Sequence, residues 1–412
     1  MNSEQLSMDQ ALSRFCPHAL ASLPRAARLA LEMLDAIEHG ALAVELPDGQ
    51  RLRVGHGALV AQFRVRDFET FDRALATGDI GLAEAWMDEL WDSDDPTQVL
   101  LLLSRNRERL GAAVYGRRLR LAGHRLWHLL RANTRVGARR NIEAHYDLGN
   151  DFYSLWLDPS MTYSAAVFES PGDTLETGQL RKYRRILDRL GAKPGQLILE
   201  VGCGWGGFAE VAAREYGCKV LCLTLSPAQL AFARERAERG GFADKVRFEL
   251  CDYRDVRGQY DHIVSIEMIE AVGERFWPVY FGQLSSLLRP GGRCIIQAIT
   301  IEDALFHRYR RGTDFIQRHI FPGGMLPSPT VLQRQAEAAG LMVDGDFAFG
   351  RDYARTLAIW HQRFLANLAA VRGQGFPERF VRMWRFYLSY CEAGFETGDI
   401  DVHHYELVHA PK

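Results

Sequence analysis

The segment Glu200-Val201-Gly202-Cys203-Gly204-Trp205-Gly206-Gly207 sets an acidic side chain and a run of glycines at the end of an apolar stretch, Leu197 to Val201. Glycine accepts positive φ and carries no Cβ, so the backbone of such a turn can press directly against a ligand. The apolar stretch reads as a strand and Phe208 to Tyr216 as the amphipathic helix after the turn. In open α/β sheets, ligands gather at the carboxyl ends of such strands. The turn lacks the full G-x-G-x-x-G spacing and a basic residue for phosphates, which argues against a dinucleotide or ATP.

The elements around this turn predict a doubly covered sheet. Strands are expected at Lys219 to Leu223, Val246 to Leu250, Asp261 to Ile266 and Arg293 to Thr300, with helices at Pro227 to Arg239 and Phe276 to Leu288. Pro290-Gly291-Gly292 marks the turn before the last of these strands. Alternating strands and helices predict a parallel sheet with helices on both faces. Upstream, residues 1 to 104 read as a separate α+β unit: a helix near Pro24 to His39, a hairpin of 41 to 46 and 51 to 54 around Pro47-Asp48-Gly49, and amphipathic stretches from Phe68 to Met87. Between them, residues 105 to 140 hold eleven arginines against one acid, Glu108, interleaved with Leu119, Leu126, Trp127, Leu129 and Leu130. Arginines beside an apolar, tryptophan-bearing side suit an interfacial helix on an anionic membrane surface.

Glu200 to Gly207 resembles motif I of class I methyltransferases, which hold S-adenosylmethionine. Four more segments extend the likeness: His145-Tyr146-Asp147-Leu148-Gly149-Asn150-Asp151-Phe152, then Leu157 to Ser164, Thr224 to Gln229, and Phe321 to Ser328. Taken in order, these segments closely resemble the cyclopropane fatty acid synthase family, S-adenosylmethionine-dependent enzymes that methylate double bonds of lipid acyl chains. The likeness covers residues 141 to 412; the first 140 match only loosely. It implies an α/β class I methyltransferase fold, a seven-stranded Rossmann-like sheet with a helical lid over 301 to 329.

The resemblance also assigns roles. Tyr163 and Ser164 would contact the methionine end of the cofactor. Gly202, Gly204 and Gly206 would pass beneath it, with Glu200 at the strand end. Thr224, Ser226 and Gln229 would hold the ribose, and Asp252 and Tyr253 would flank the adenine. An isolated alkene is a poor nucleophile, so it must be aligned with the sulfonium methyl and kept from water. Methyl transfer leaves a carbocation that aromatic faces can stabilise. The chain has 22 Phe, 14 Tyr and 8 Trp, and Phe152, Tyr153, Trp156, Phe306, Tyr309, Phe315 and Phe321 crowd the relevant segments.

A base must then remove a proton. In the synthases a bicarbonate ion does so, held by a cysteine, a glutamate, a histidine and a tyrosine. The glutamate matches Glu270 and the tyrosine Tyr353. The family's Tyr-Ser-Cys is Tyr163-Ser164-Ala165 here, and its His-Thr-Ile is Gln297-Ala298-Ile299, so two of the ion's ligands have changed. Three residues before Glu270, where the family usually has glycine, stands Glu267. A carboxylate has nearly the shape and charge of bicarbonate, and Glu267 is expected to replace the ion as the base, oriented by Tyr353 and Gln297. Two carboxylates three residues apart at a strand end would share one pocket, raising the pKa of one of them.

Composition bounds the rest. Hydrophobic residues make up 47% and charged residues 25%, with a net charge of −2, so no global field argues for nucleic acid. No run of about 18 apolar residues spans a bilayer. Seven scattered cysteines without metal spacing fit reduced thiols, and no metal is expected. The expected location is cytoplasmic, peripheral on the inner membrane surface. The expected partners are unsaturated phospholipid acyl chains, with a separate reductase and a second copy of the chain left open. Two competing readings are a methyltransferase for another small molecule or nucleic acid, disfavoured by the absence of an Asn-Pro-Pro-aromatic tetrad, and a catalytically silent lipid-binding homologue. The basic segment yields a direct prediction. Cosedimentation with anionic vesicles should weaken with salt and with Arg→Gln changes at Arg117, Arg118 and Arg125, each arginine near the surface contributing about 1 kcal/mol. Binding indifferent to both would leave the segment a linker.

Overall fold

A computed structural model describes residues 22–111 and 148–411, with the backbone of a two-residue strand at Ser13–Arg14. The basic segment from 112 onward and the motif residues His145, Tyr146 and Asp147 lie outside the described residues. The chain forms two compact units. Of the described residues, one holds those up to 111 with 312–318 and 368–397, the other 148–311, 319–367 and those from 398.

The first unit contains the expected hairpin, Ala41–Glu45 against Arg51–Val54, inside a five-stranded sheet. Its helices at Glu69–Thr77 and Asp79–Met87 fall within the expected amphipathic stretch. The distant helix Glu378–Thr397 also belongs to this unit. The Trp86 indole donates to the Arg382 carbonyl (2.8 Å), and the Arg382 guanidinium stacks 4.0 Å from the Trp86 ring centroid. Thr97 Oγ1 bonds Ser389 Oγ at 3.0 Å in the same core. Nothing local in the sequence announces these pairings.

The second unit carries the chemistry-bearing motifs. Its elements are α1 (Leu175–Leu190), β1 (Leu197–Val201), α2 (Gly207–Arg214), β2 (Lys219–Thr224), α3 (Pro227–Gly240), β3 (Val246–Leu250), β4 (Tyr260–Ile266), α4 (Trp277–Leu287), β5 (Leu288–Ile301), α5 (Pro329–Ala338), β6 (Leu341–Ala348), α6 (Gly350–Ala366) and β7 (Ile400–His409). They form a seven-stranded sheet in the order β6-β7-β5-β4-β1-β2-β3. Every pair from β5 to β3 is parallel, while β7 runs antiparallel to both neighbours. The Pro290-Gly291-Gly292 turn appears as a register shift between Leu288 and Arg293 within β5.

Strand alternation divides the apolar residues between two cores. Leu199, Val201, Ile263, Cys294 and Ile296 face one helical layer, and Ile198, Val220, Cys222, Val264 and Ile295 the other. Local signals set the helix starts. Thr174 caps α1 by accepting from Thr177 N–H, and Ser226 caps α3 by accepting from Gln229 N–H with Pro227 in the first turn. The expected lid is divided: a helix at Asp303–Tyr309 lies in the second unit, whereas 312–318 pack with the first.

Candidate active site

The glycine turn follows β1 and opens α2. Gly202, Gly204 and Gly206 all hold positive φ, +83°, +50° and +83°. Their surroundings separate their roles. A Cβ on Gly202 would lie 2.4 Å from Met268 Cγ, so this glycine permits a close approach of the turn to the end of β4. A Cβ on Gly204 would meet nothing within 4 Å. One on Gly206 would meet Ala233 and the Phe248 ring at 3.3 Å, inside the protein. Gly206 therefore packs α2 against its neighbours, and it does not line the cleft that the other two border.

That cleft holds about 900 Å³ of empty space, part of it open to solvent. Of the expected cofactor residues, Tyr163, Ser164, Glu200, Gly202, Gly204, Thr224, Gln229 and Tyr253 line it, as does Glu267. Ser226 and Asp252 do not. Ser226 caps α3, and Asp252 holds Arg254 in an ion pair at 2.6 Å. Thr224 Oγ1 donates to Gln229 Oε1 (2.9 Å) and accepts from Ser226 N–H (3.1 Å), which locks the rim at the end of β2.

Two buried polar atoms in the cleft lack partners among the described residues, Glu200 Oε2 and the Tyr253 hydroxyl. Burial pushes the Glu200 carboxyl up to about 8. An unsatisfied buried carboxylate oxygen calls for a donor from outside the chain. S-adenosylmethionine, with an ammonium, ribose hydroxyls and a sulfonium charge, fits these residues and the bare backbone at Gly204.

At the cleft's far side stands Glu267, one residue past β4, with φ +50°. Four donors converge on its carboxylate. Oε1 accepts from Ser164 Oγ (2.6 Å), Gln297 Nε2 (2.7 Å) and Ala165 N–H (3.1 Å), and Oε2 accepts from the Tyr353 hydroxyl (2.6 Å). Only an acceptor-only carboxylate satisfies such a set. Oε1 is saturated, while Oε2 keeps a lone pair on a side chain that borders the cleft. Glu267, Gln297 and Tyr353 thus meet as expected.

Glu270 does not bond Glu267. Its Oε1 accepts from Ile299 N–H at 2.5 Å and its Oε2 is buried without a partner among the described residues. Burial first, and then the nearby Glu267 charge, raise Glu270 to about 8. The carboxylate whose pKa rises is Glu270.

Lys182 was missed. It is fully buried on α1 and its Nζ donates to Ser164 Oγ at 2.8 Å. Burial pushes it down to about 7, against the pull of Glu267 and Asp158. Its signal was a lone lysine in the inward stripe Leu175, Gln179, Lys182, Ile186. Two tryptophans, Trp205 and Trp360, were missed as well. The Tyr163 ring sits among Tyr153 (5.5 Å), Trp156 (5.3 Å) and Trp360 (5.4 Å), and Tyr153 also meets Trp205 (5.1 Å). Phe315, expected near the acyl chain, packs instead on Phe386 and Tyr390 of the first unit, and Phe306 lies in a sheet core.

Known proteins resemble much of this chain. The mycolic acid cyclopropane synthetase family matches residues 133–405. The chain is 40% identical to the tuberculostearic acid methyltransferase UfaA1 of Mycobacterium tuberculosis, over 80% of this chain and 79% of that protein. It is 35% identical to the cyclopropane-fatty-acyl-phospholipid synthase of Escherichia coli K12, over 84% and 87% respectively. Among solved structures, mycolic acid cyclopropane synthase CmaA1 complexed with SAH and CTAB aligns with a TM-score of 0.62 at 32% identity, covering 65% of this chain and 97% of that one.

Two predictions follow from the rim. Gly204→Val should fold, at about 1–2 kcal/mol for its left-handed backbone, yet lose affinity for S-adenosylmethionine by about tenfold or more. Gly206→Val should instead lower the melting temperature further, because its side chain meets packed protein. Calorimetry and thermal melts that reverse this pattern would exchange the two roles. The second concerns protons. A cation bound beside Glu200 favours its ionised form, so binding at pH 7 should release a proton, and affinity should strengthen as pH rises toward about 8 and level off above it. Titration calorimetry in buffers of different ionisation enthalpy should show this release, and Glu200→Gln should remove it.

Proposed function

The chain belongs to the mycolic acid cyclopropane synthetase family, and from that premise we propose that it C-methylates the double bond of an unsaturated fatty acyl chain in a membrane phospholipid. The enzyme is an S-adenosylmethionine-dependent methyltransferase. The carboxylate of Glu267, caged by four donors at the cleft wall, is the observation that carries the reading of how it finishes the reaction.

S-adenosylmethionine supplies the electrophilic methyl group. The chain's own residues do the rest. The glycine turn, Glu200 and the Thr224–Gln229 rim hold the cofactor, while Tyr163, held by the buried rings of Tyr153, Trp156 and Trp360, presents a π face to the positive charge that develops on the acyl chain. Such contacts contribute roughly 0.5–2 kcal/mol each. Glu267 Oε2 then takes a proton from the new methyl group, and the electron pair of that C–H bond quenches the cation. Ser164, Ala165, Gln297 and Tyr353 hold the carboxylate where bicarbonate stands in the synthases, so no added ion is needed.

Two products share this balance of atoms. Immediate proton loss closes a cyclopropane ring. A hydride shift first moves the charge to the methyl-bearing carbon, and proton loss then leaves a methylene branch. The similarity to a tuberculostearic acid methyltransferase supports the hydride shift. We assign the methylene-branched product, which a separate reductase would convert to a methyl branch. No described helix is long and apolar enough to cross a membrane. The arginine-rich segment would bring the enzyme to anionic lipid at the inner surface.

Glu267→Gln should lower turnover by about 10²–10⁴-fold while leaving cofactor affinity intact by calorimetry. Mass spectrometry of acyl chains from unsaturated phospholipid vesicles incubated with labelled cofactor should show a gain of one CH2 by a methylene branch, with or without bicarbonate. Near-normal turnover in Glu267→Gln, or silence of the parent enzyme on bicarbonate depletion, would sink the carboxylate's role.

A further inference from the structure

Gln297 connects the candidate base to a chain of hydrogen bonds that leads away from the cleft. Gln297 and His404 are paired residues across the antiparallel β5–β7 ladder. Gln297 Oε1 lies 3.0 Å from His404 Nε2, and His404 Nδ1 lies 3.1 Å from a guanidinium nitrogen of Arg185 on α1. Gln297 and His404 are fully buried.

Donor and acceptor roles along this chain are forced. A guanidinium has only donors, so His404 Nδ1 accepts. Burial, with Arg185 and Lys182 nearby, holds His404 well below the usual histidine range, so it is neutral with one ring proton. That proton sits on Nε2 and is donated to Gln297 Oε1. With its oxygen so engaged, the Gln297 amide turns its NH2 toward Glu267 Oε1 (2.7 Å) and Ser164 Oγ (2.9 Å). Ser164 Oγ then receives both Gln297 Nε2 and Lys182 Nζ, which leaves its single proton for Glu267. Arg185 is itself held in place, its guanidinium 3.8 Å from the Phe347 ring centroid, and Phe349 packs edge-on against the His404 ring at 4.7 Å.

We propose that Arg185 and His404 are positioning residues for proton removal at Glu267: the guanidinium fixes the His404 tautomer, the tautomer fixes the Gln297 amide, and the amide presents a donor to the base. The inference rests on the reading of Glu267 as that base. If the amide flipped, a carbonyl oxygen would stand 2.7 Å from the carboxylate, where two acceptors repel. The carboxylate would then swing away from the cleft or bind a proton and cease to be a base. Neither Arg185 nor His404 needs to touch substrate or cofactor for this.

Nitrogen-15 NMR of the full chain, with His404 assigned by comparison with His404→Gln, should show a protonated Nε2 and a bare Nδ1. The opposite tautomer, or an imidazolium, overturns the proposal, and this readout stands even where other variants fold poorly. In the vesicle assay, His404→Phe should lower kcat by about 10–100-fold with cofactor affinity unchanged. His404→Gln should recover most of it, because its amide again accepts from Arg185 and donates to Gln297. In a Gln297→Met background, His404→Phe should cost less than about twofold more, since the two act as one unit. A fully additive loss would mean that His404 acts by another route. Glu267→Gln, measured alongside, separates the two readings. Its full activity defeats the base itself, whereas a silent Glu267→Gln beside a fully active His404→Phe defeats only the positioning chain.

Discussion

Glu267 occupies a backbone conformation that side chains avoid, and the site is arranged around keeping it there. Among the described residues only Glu89, Met161 and Glu267 hold positive φ without being glycine, and the last two border the cleft. Left-handed backbone costs about 1–2 kcal/mol for an ordinary residue, so it persists only where the surroundings determine it. Here they do so twice. The Glu267 N–H donates to the Gln297 carbonyl at 2.9 Å, and the carboxylate takes four side-chain and backbone donors. Where the family usually has glycine, this chain accepts strain to gain an anchored carboxylate.

The sheet makes that anchoring possible because its strand ends meet. Gln297 pairs with Ile266 across the parallel β5–β4 ladder, immediately beside Glu267, and with His404 across the antiparallel one. One residue of β5 therefore touches the proposed base on one side and its support on the other. Helix α6 brings Tyr353, the segment before α1 brings Ser164 and Ala165, and α1 itself brings Lys182 and Arg185. Elements from opposite ends of the unit converge on one carboxylate, so its position reports correct assembly of the whole sheet.

Much of this was legible in the sequence, for identifiable reasons. Strands β1 and β3 fall where the apolar runs stand, and α3 begins at Pro227 as expected. The meeting of Glu267, Gln297 and Tyr353 was accessible because three departures from one family pattern had to compensate one another. His404 and Lys182 were not accessible, since a histidine in a buried strand and a lysine in an apolar helical stripe read as packing until the partner across the sheet is known. The same gap explains Glu378–Thr397, whose place with the first unit depends on Trp86 and Ser389 contacts nearly 300 residues apart in sequence. Gly206 shows the reverse error, a motif glycine whose constraint is internal packing.

Burial sorts the ionisable groups of the site into different tasks. Glu200 and Glu270 are raised to about 8 and Lys182 is lowered to about 7, each chiefly by loss of water. These groups approach neutrality at working pH because their immediate partners are too few to hold charge. Glu267 differs in kind, since every hydrogen-bonding neighbour is a donor and the donor-only guanidinium of Arg185 closes one end of the network. A site that must receive a sulfonium and then a carbocation gains from that contrast. Donors converge on the one carboxylate proposed to take a proton, while the neighbouring carboxyls can ionise as a cation arrives. The chemistry therefore depends less on the basicity of any residue than on which of several buried acids the hydrogen bonds single out.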